Sequence, residues 1–328
     1  MNIKSIKTAA QAASLIQGIL PSAGMKEITL LGMKGVSSYF DSSGTKIVPE
    51  LFFNGSICRH KEKNYFAARA DQRIHGEWWT RIRIAACLLD EDYNPIAGTE
   101  RFLYLRSDAG PFHVEDPRLI SDGNTLYVSY TCGEKMYLSS VDDTLSECGE
   151  ANKVTEISIR RVGRKRDKNF VPFVHGERIF HSYSDNPRIV IEDDCLTIHV
   201  PCQSAEWQYG HIRGGTPAIP FNSGTLISFF HSSMTFDSES STPGQRLYFA
   251  GAYEFNNRPP FKIIRITNEP IIVAPVCYSG LERPTSSYVI FPVGIIDEGQ
   301  SYAVSAGIND VTTGVFRITK HLLNKLLV

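Results

Sequence analysis

Apolar and polar positions change their period twice along this chain, once near each end. In residues 5–20, Ala9, Ala10, Ala13, Ile16 and Leu20 fall on one helical face. In residues 319–327, Leu322, Leu323 and Leu326 do the same, so a short amphipathic helix is predicted at each end. Between them, runs rich in β-branched and aromatic residues are bounded by turns. Residues 80–89, 125–130, 178–183, 226–231, 247–252 and 302–306 read as strands. The breaks carry turn chemistry: Asp122-Gly123-Asn124, His175-Gly176-Glu177, Asn222-Ser223-Gly224 and Asp297-Glu298-Gly299.

Aligning these turns reveals a repeat. Each unit has polar residues, an apolar strand, a tight turn, and a second strand ending in polar or aromatic residues. Residues 115–130, 168–183, 213–231 and 288–310 follow this plan, and residues 51–71 follow it more weakly. Five units of about four strands each predict an all-β, five-bladed β-propeller with short terminal helices. A stacked sandwich is the competing architecture. The expected division is a helix and lead-in over 1–44, the propeller over 45–318 and the C-terminal helix over 319–328. In a propeller, the inner strands bring their polar ends to one mouth of the axial channel. Arg69, Asp116, Lys168, Arg213, His231 and Asp310 then occupy equivalent positions in different blades.

Composition narrows the function classes. Among 328 residues, 42% are hydrophobic and 21% charged, as in an ordinary globular protein. Lys plus Arg number 34 and Asp plus Glu 35, giving a net charge of −1, so no global positive field attracts nucleic acid or an anionic membrane. The longest apolar runs fall far short of the ~20 residues that span a bilayer. Lys4 and Lys7 before an apolar stretch loosely mimic a signal peptide, but Gln11 and Gln17 interrupt it, and the amphipathic helix is the preferred reading. The seven cysteines are scattered, without a C-x-x-C pair, which suggests neither zinc nor a disulfide framework and points to a reducing cytoplasm.

Several segments could carry chemistry, and each has a plainer reading. In Glu115-Asp116-Pro117-Arg118, Pro117 biases Asp116 toward an extended backbone, and a stiffly held carboxylate can serve as a general acid. The alternative is a turn cap paired with Arg118. Residues 160–168 are the most basic stretch. They read as a solvated loop whose end, Lys168-Asn169, abuts an apolar strand and could reach the site. In His211-Ile212-Arg213-Gly214-Gly215-Thr216-Pro217, two glycines allow close backbone approach, and Arg213 could hold a carboxylate, phosphate or sugar hydroxyls; a glycine bulge is the alternative. His231 ends an apolar strand, where a structural role is common. Asn309-Asp310 alone is a turn signal. Trp78, Trp79 and Trp207 could stack on sugars or fill core.

Taken in order, these motifs resemble a known family. Phe53-Asn54, Arg69-Ala70, Glu115-Asp-Pro-Arg118, Lys168-Asn169, Gly-Gly-Thr-Pro217, Phe230-His231, Pro259-Pro260, Glu269-Pro-Ile271, residues 289–294 and Asn309-Asp310 are similar to the pattern of glycoside hydrolase family 130, the inverting β-mannoside phosphorylases. The related β-mannosyltransferases of glycosyltransferase family 108 share that fold. The resemblance covers roughly residues 45–318 and implies a sugar pocket at the propeller mouth. By motif position, Asp116 would be the general acid, its proton passing through a mannose hydroxyl. Arg69, Lys168 and His231 would grip phosphate, and Asn54 and Asp310 would bind the sugar. Arg213 joins the phosphate- or donor-binding set, and Arg118, Asn169 and Gly215 the sugar-binding set.

The implied substrates are a mannose-containing oligosaccharide together with phosphate, mannose 1-phosphate or a sugar nucleotide. No cofactor and no metal are called for. A homo-oligomer is compatible with the sequence, which does not fix the oligomeric state. An inverting hydrolase needs a second carboxylate about 6.5–9.5 Å from the acid, whereas a phosphorylase needs cations; the cationic set favours phosphate, or a donor's phosphate. The chain departs from the phosphorylase pattern in having Val-Pro-Phe-Val-His175 where Leu-Phe-Pro-Glu-Lys is usual, and Ser232 where Gly follows the histidine. Phosphorolysis and synthetic transfer therefore both stand, with β-mannoside hydrolysis and a non-catalytic sugar-binding propeller as alternatives.

Overall fold

The computed structural model describes residues 8–16, 18–21, 25–40, 44–71, 82–105, 114–132, 135–149, 152–153, 168–183, 189–192, 198–199, 206–236, 244–275 and 287–328. Helix α1 (Ala9–Leu15) is capped by the Thr8 hydroxyl, which accepts from the Gln11 amide, and it buries Ala9 and Ala12. The lead-in then forms β1 (Lys26–Ile28) and the small hairpin β2 (Tyr39–Phe40) and β3 (Lys46–Ile47). Helix α2 (Lys320–Leu326) closes the chain, capped in the same way by Thr319.

Five sheets lie between, antiparallel throughout except for one short parallel pairing in the fourth. Blade 1 is β4 (Leu51–His60), β5 (Lys63–Asp71), β6 (Ile82–Leu89) and β7 (Arg101–Leu103). Blade 2 is β8 (Val114–Ser121), β9 (Leu126–Cys132), β10 (Lys135–Val141) and β11 (Asn152–Lys153). Blade 3 is β12 (Val171–His175), β13 (Arg178–Tyr183), β14 (Ile189–Ile191) and β15 (Ile198–His199). Blade 4 is β16 (Ile219–Pro220), β17 (Thr225–Phe236), β18 (Gln245–Asn256) and β19 (Ile263–Ile266), with β20 (Ile272–Val273) and β21 (Ser287–Tyr288) also paired to β18. Blade 5 is β22 (Ile290–Asp297), β23 (Ser301–Ile308) and β24 (Thr312–Thr319), with β1 as its fourth strand. The lead-in is therefore not separate from the propeller. Its residues 26–28 pair with β24 and join the start of the chain to the last blade.

The packing explains why a ring forms rather than a sandwich. Strands buried on both faces need a neighbour on each side, and each blade finds two. Tyr65, Ala67 and Ala86 of blade 1 pack on Leu119, Val128 and Tyr130 of blade 2. The other face of blade 2, with Met136 and Leu138, meets Phe170, Ile179 and Ile191 of blade 3. Phe173, Phe180 and Val190 continue to Phe230, Tyr253 and Phe255 of blade 4. Ile227, Phe229 and Phe249 pack on Tyr302, Val304 and Phe316 of blade 5. Ile296, Ala303 and Val315 close the circle against Ile57, Phe66 and Ala68 of blade 1. A two-sheet sandwich would have one shared core; here separate cores lie between successive blades.

Candidate active site

The site begins with a backbone irregularity that occurs twice. In β4, Phe53 pairs with Arg69 and Ser56 with Ala67, so Asn54 and Gly55 bulge out of register. In β8, Glu115 pairs with Thr131 and Arg118 with Ser129, so Asp116 and Pro117 do the same. The first residue of each bulge is left-handed, with φ 51° at Asn54 and 55° at Asp116. Asn169, just before β12, has φ 75°, and Asn309 and Asp310 after β23 have 50° and 53°. Asn and Asp tolerate this region better than other side chains. Such bulges re-aim side chains out of the sheet, and here they turn polar groups from several blades toward one another. The sequence reading of Asp116 as extended is corrected by this geometry: Pro117 sits in the bulge, and Asp116 is left-handed.

These groups form a connected set. Asn54 Nδ2 donates to Asp116 Oδ1 at 3.1 Å and to Asp310 Oδ1 at 3.3 Å, linking blades 1, 2 and 5. Because Nδ2 faces two carboxylates, Oδ1 is turned the other way, toward Gly307, where a Cβ would run into it. Glu115 joins Arg69 and Lys168: Arg69 Nη1 donates to Oε2 at 2.9 Å, and Lys168 Nζ donates to Oε1. Arg69 also lies over the Phe53 ring at 4.9 Å, and its Nη2 is 3.6 Å from Asp71 Oδ2.

Arg118 is fully buried. Its Nε donates to the Gly215 carbonyl at 2.8 Å, its Nη1 to the Asp116 carbonyl at 3.3 Å and its Nη2 to Asn169 Oδ1 at 3.1 Å. Its guanidinium lies 5.3 Å from the centre of the Phe291 ring. Burial pushes its pKa down to about 10, against the pull of the Asp116 charge, so it stays protonated at neutral pH. With no surface open to a ligand, Arg118 ties blades 2, 3, 4 and 5 together; the direct sugar contact implied by its motif gives way to this tie.

In blade 4, Arg213 pairs through its backbone with His231. Gly214 and Gly215 are required by close approach, since a Cβ on either would strike the Asn169 or Phe229 carbonyl. The Gly214 carbonyl faces His231 Nδ1 at 2.8 Å. A carbonyl only accepts, so Nδ1 carries the ring proton. Burial, with the Arg213 and Arg118 charges, holds the His231 pKa down at about 3. The ring is therefore neutral at ordinary pH, and Nε2 is an acceptor. This corrects the expectation of His231 as a cation. The ring is held by stacking on Tyr248 and by the edge of Phe291. The Arg213 side chain is exposed and makes no ion pair among the described residues.

Other sequence candidates fall elsewhere. Trp207 packs against Tyr209 and Phe230 and donates to Ser232 Oγ at 2.7 Å, which is a core role. Trp78, Trp79 and residues 160–166 lie outside the described residues. Sequence reasoning passed over Glu115 as a site residue, although it stands beside Asp116. It gave Phe291, within the motif at 289–294, no role and passed over Gly307; the partners of both are far away in the chain.

Compared by sequence, the chain matches no family model and no curated protein. Its structure has clear relatives. β-1,2-Mannobiose phosphorylase from Listeria innocua is 14% identical, with a TM-score of 0.59 over 88% of this chain and 98% of that one. A structure from a study of glycoside hydrolases within the GH130 mannoside phosphorylase family, which target β-1,2-mannosidic linkages in Candida mannan, is 14% identical, with a TM-score of 0.62 over 92% and 96%. MPT-1, a GDP-Man-dependent mannosyltransferase from Leishmania mexicana, is 12% identical, with a TM-score of 0.54 over 90% and 88%. At such identity the likeness establishes the fold. The resemblance read from the short motifs is thus matched by a shared five-bladed architecture.

Proposed function

We propose that this protein is a carbohydrate-active enzyme that transfers β-linked mannosyl units with inversion, either to phosphate or, in the synthetic direction, from a mannosyl phosphate donor to a sugar acceptor. The observation that carries the reading is the joining of Asp116 to Asn54 and Asp310, with the adjacent Glu115 holding Arg69 and Lys168. An acid and a pair of cations from different blades thus meet where the related folds of known mannoside enzymes make the same class of chemistry reasonable.

In this reading Asp116 is the general acid. In phosphorolysis a phosphate oxygen bonds to the anomeric carbon while the glycosidic C–O bond breaks. The departing oxygen receives the proton that Asp116 supplies through a sugar hydroxyl. The products are α-mannose 1-phosphate and the shortened mannoside. Synthesis is the reverse, with the acceptor hydroxyl losing its proton along the same path. Arg69, Lys168 and Arg213 supply positive charge for the phosphate, and charge placed where it develops lowers the barrier. His231 contributes a lone pair at Nε2, suited to a P–OH or sugar hydroxyl. Asn54, Asp310 and Asn169 are assigned to the sugar, and Arg118 with Gly215 to positioning.

The test offers α-mannose 1-phosphate or GDP-mannose with mannose acceptors, and separately β-mannobiose with and without phosphate. The expected outcome is a β-mannoside from at least one donor, or mannose 1-phosphate from the disaccharide. Absence of product in every arm overturns the proposal, and phosphate-independent cleavage favours hydrolysis.

A further inference from the structure

Two of the three cations assigned to the anion, Arg69 and Lys168, are already engaged. Glu115 divides its carboxylate between them, with one oxygen on Arg69 from blade 1 and the other on Lys168 from the start of blade 3. Its side chain is only 14% exposed. Asp71 lies beside the other end of the Arg69 guanidinium. Arg69 and Lys168 carry two positive charges, and Glu115 and Asp71 carry two negative ones, so this corner has no net charge to offer a dianion. Yet Arg69 Nε is buried and has no hydrogen-bond partner among the described residues, a donor that Glu115 and Asp71 leave unsatisfied.

We infer that Glu115 is a specificity-determining residue, an internal competitor that occupies the Arg69–Lys168 pair so that inorganic phosphate binds there only by displacing its carboxylate. The inference rests on the mannosyl-transfer reading for its biological meaning, but it concerns anion binding alone. Two features support it. Charge-assisted bonds from Arg and Lys to a carboxylate are of the kind they make to phosphate, so the two anions seek the same donors. A tethered group competes at an effective concentration on the order of millimolar or above, which raises the concentration of free phosphate needed to replace it. Glu115 is the last residue in register before the bulge that carries Asp116, so the competitor and the proposed acid share one piece of backbone. The ligand class at this corner is a phosphoryl group, and Glu115 sets how strongly the free inorganic ion is admitted.

The experiment is calorimetric titration of inorganic phosphate into the full-length protein at constant ionic strength, without sugar. Glu115→Gln is expected to bind phosphate at least tenfold more tightly than the parent. Asp71→Asn removes an equal charge beside the same arginine without bridging the pair, and is expected to gain less than threefold. Phosphate binding by Glu115→Gln that is unchanged or weaker overturns the inference. Equal gains in both variants also overturn it, because they describe a general field effect. If Glu115→Gln does not fold by circular dichroism, Glu115→Asp, too short to span both cations, takes its place with an expected gain of several-fold; no gain there overturns the inference. Since no turnover is measured, failure of the donor assays and failure of this titration are read separately.

Discussion

His231 and His181 are both buried, and burial pushes both pKa values from 6.5 down to about 3. His231 has a partner for its ring N–H in the Gly214 carbonyl. Neither ring nitrogen of His181, on β13, has a hydrogen-bond partner among the described residues. The stability consequence has a definite sign. Between pH 6.5 and about 3 the unfolded chain binds protons that the folded chain refuses, so stability falls as pH falls through that window. Each buried histidine contributes a slope of about 1.4 kcal/mol per pH unit there. Urea unfolding at pH 6, 5 and 4 should show a shallower acid loss for His181→Leu than for the parent, by about that slope; parallel losses would contradict the assignment. A lone histidine in an apolar strand was legible as a structural hydrogen-bonder. The tautomer of His231 was not, because it is set by a carbonyl in a different segment.

At the scale of the element, the repeated bulge does most to build the site. Asn54-Gly55 and Asp116-Pro117 occupy the same two-against-one position in their blades. Gly55 and Pro117 each interrupt a strand-like run in the sequence, but the repeat alignment did not match the two pairs to each other. What could not be read was the left-handed backbone, since Pro117 argues locally for an extended residue before it. Gly307 in β23 was equally hidden. It is glycine because the Asn54 amide oxygen fills the space a side chain would need, and that pairing crosses from blade 5 to blade 1. Gly307→Ala should therefore displace Asn54 from Asp116 and Asp310. Overpacking of this kind costs about 1–3 kcal/mol, and activity should fall more than tenfold; a variant with parental turnover and melting temperature would refute the role given to Asn54.

On the scale of the whole molecule, the chain is a closed ring whose last blade takes its outer strand from the lead-in. Repetition of turns and strands made the ring readable. The three residues of β1, Lys-Glu-Ile, have no period from which pairing could be inferred, so the lead-in read as separate. Ring closure brings residues that are distant in sequence together, and the proposed chemistry requires them to act on one sugar. The most direct test follows the anomeric protons by NMR while the parent and Asp116→Asn act on α-mannose 1-phosphate, or on GDP-mannose, with a mannose acceptor. The parent is expected to convert the α-linked donor to a β-mannoside, and Asp116→Asn, folded and still able to bind the donor, to lose that conversion mainly in kcat. An α-linked product, or undiminished turnover by Asp116→Asn, would contradict the proposed chemistry.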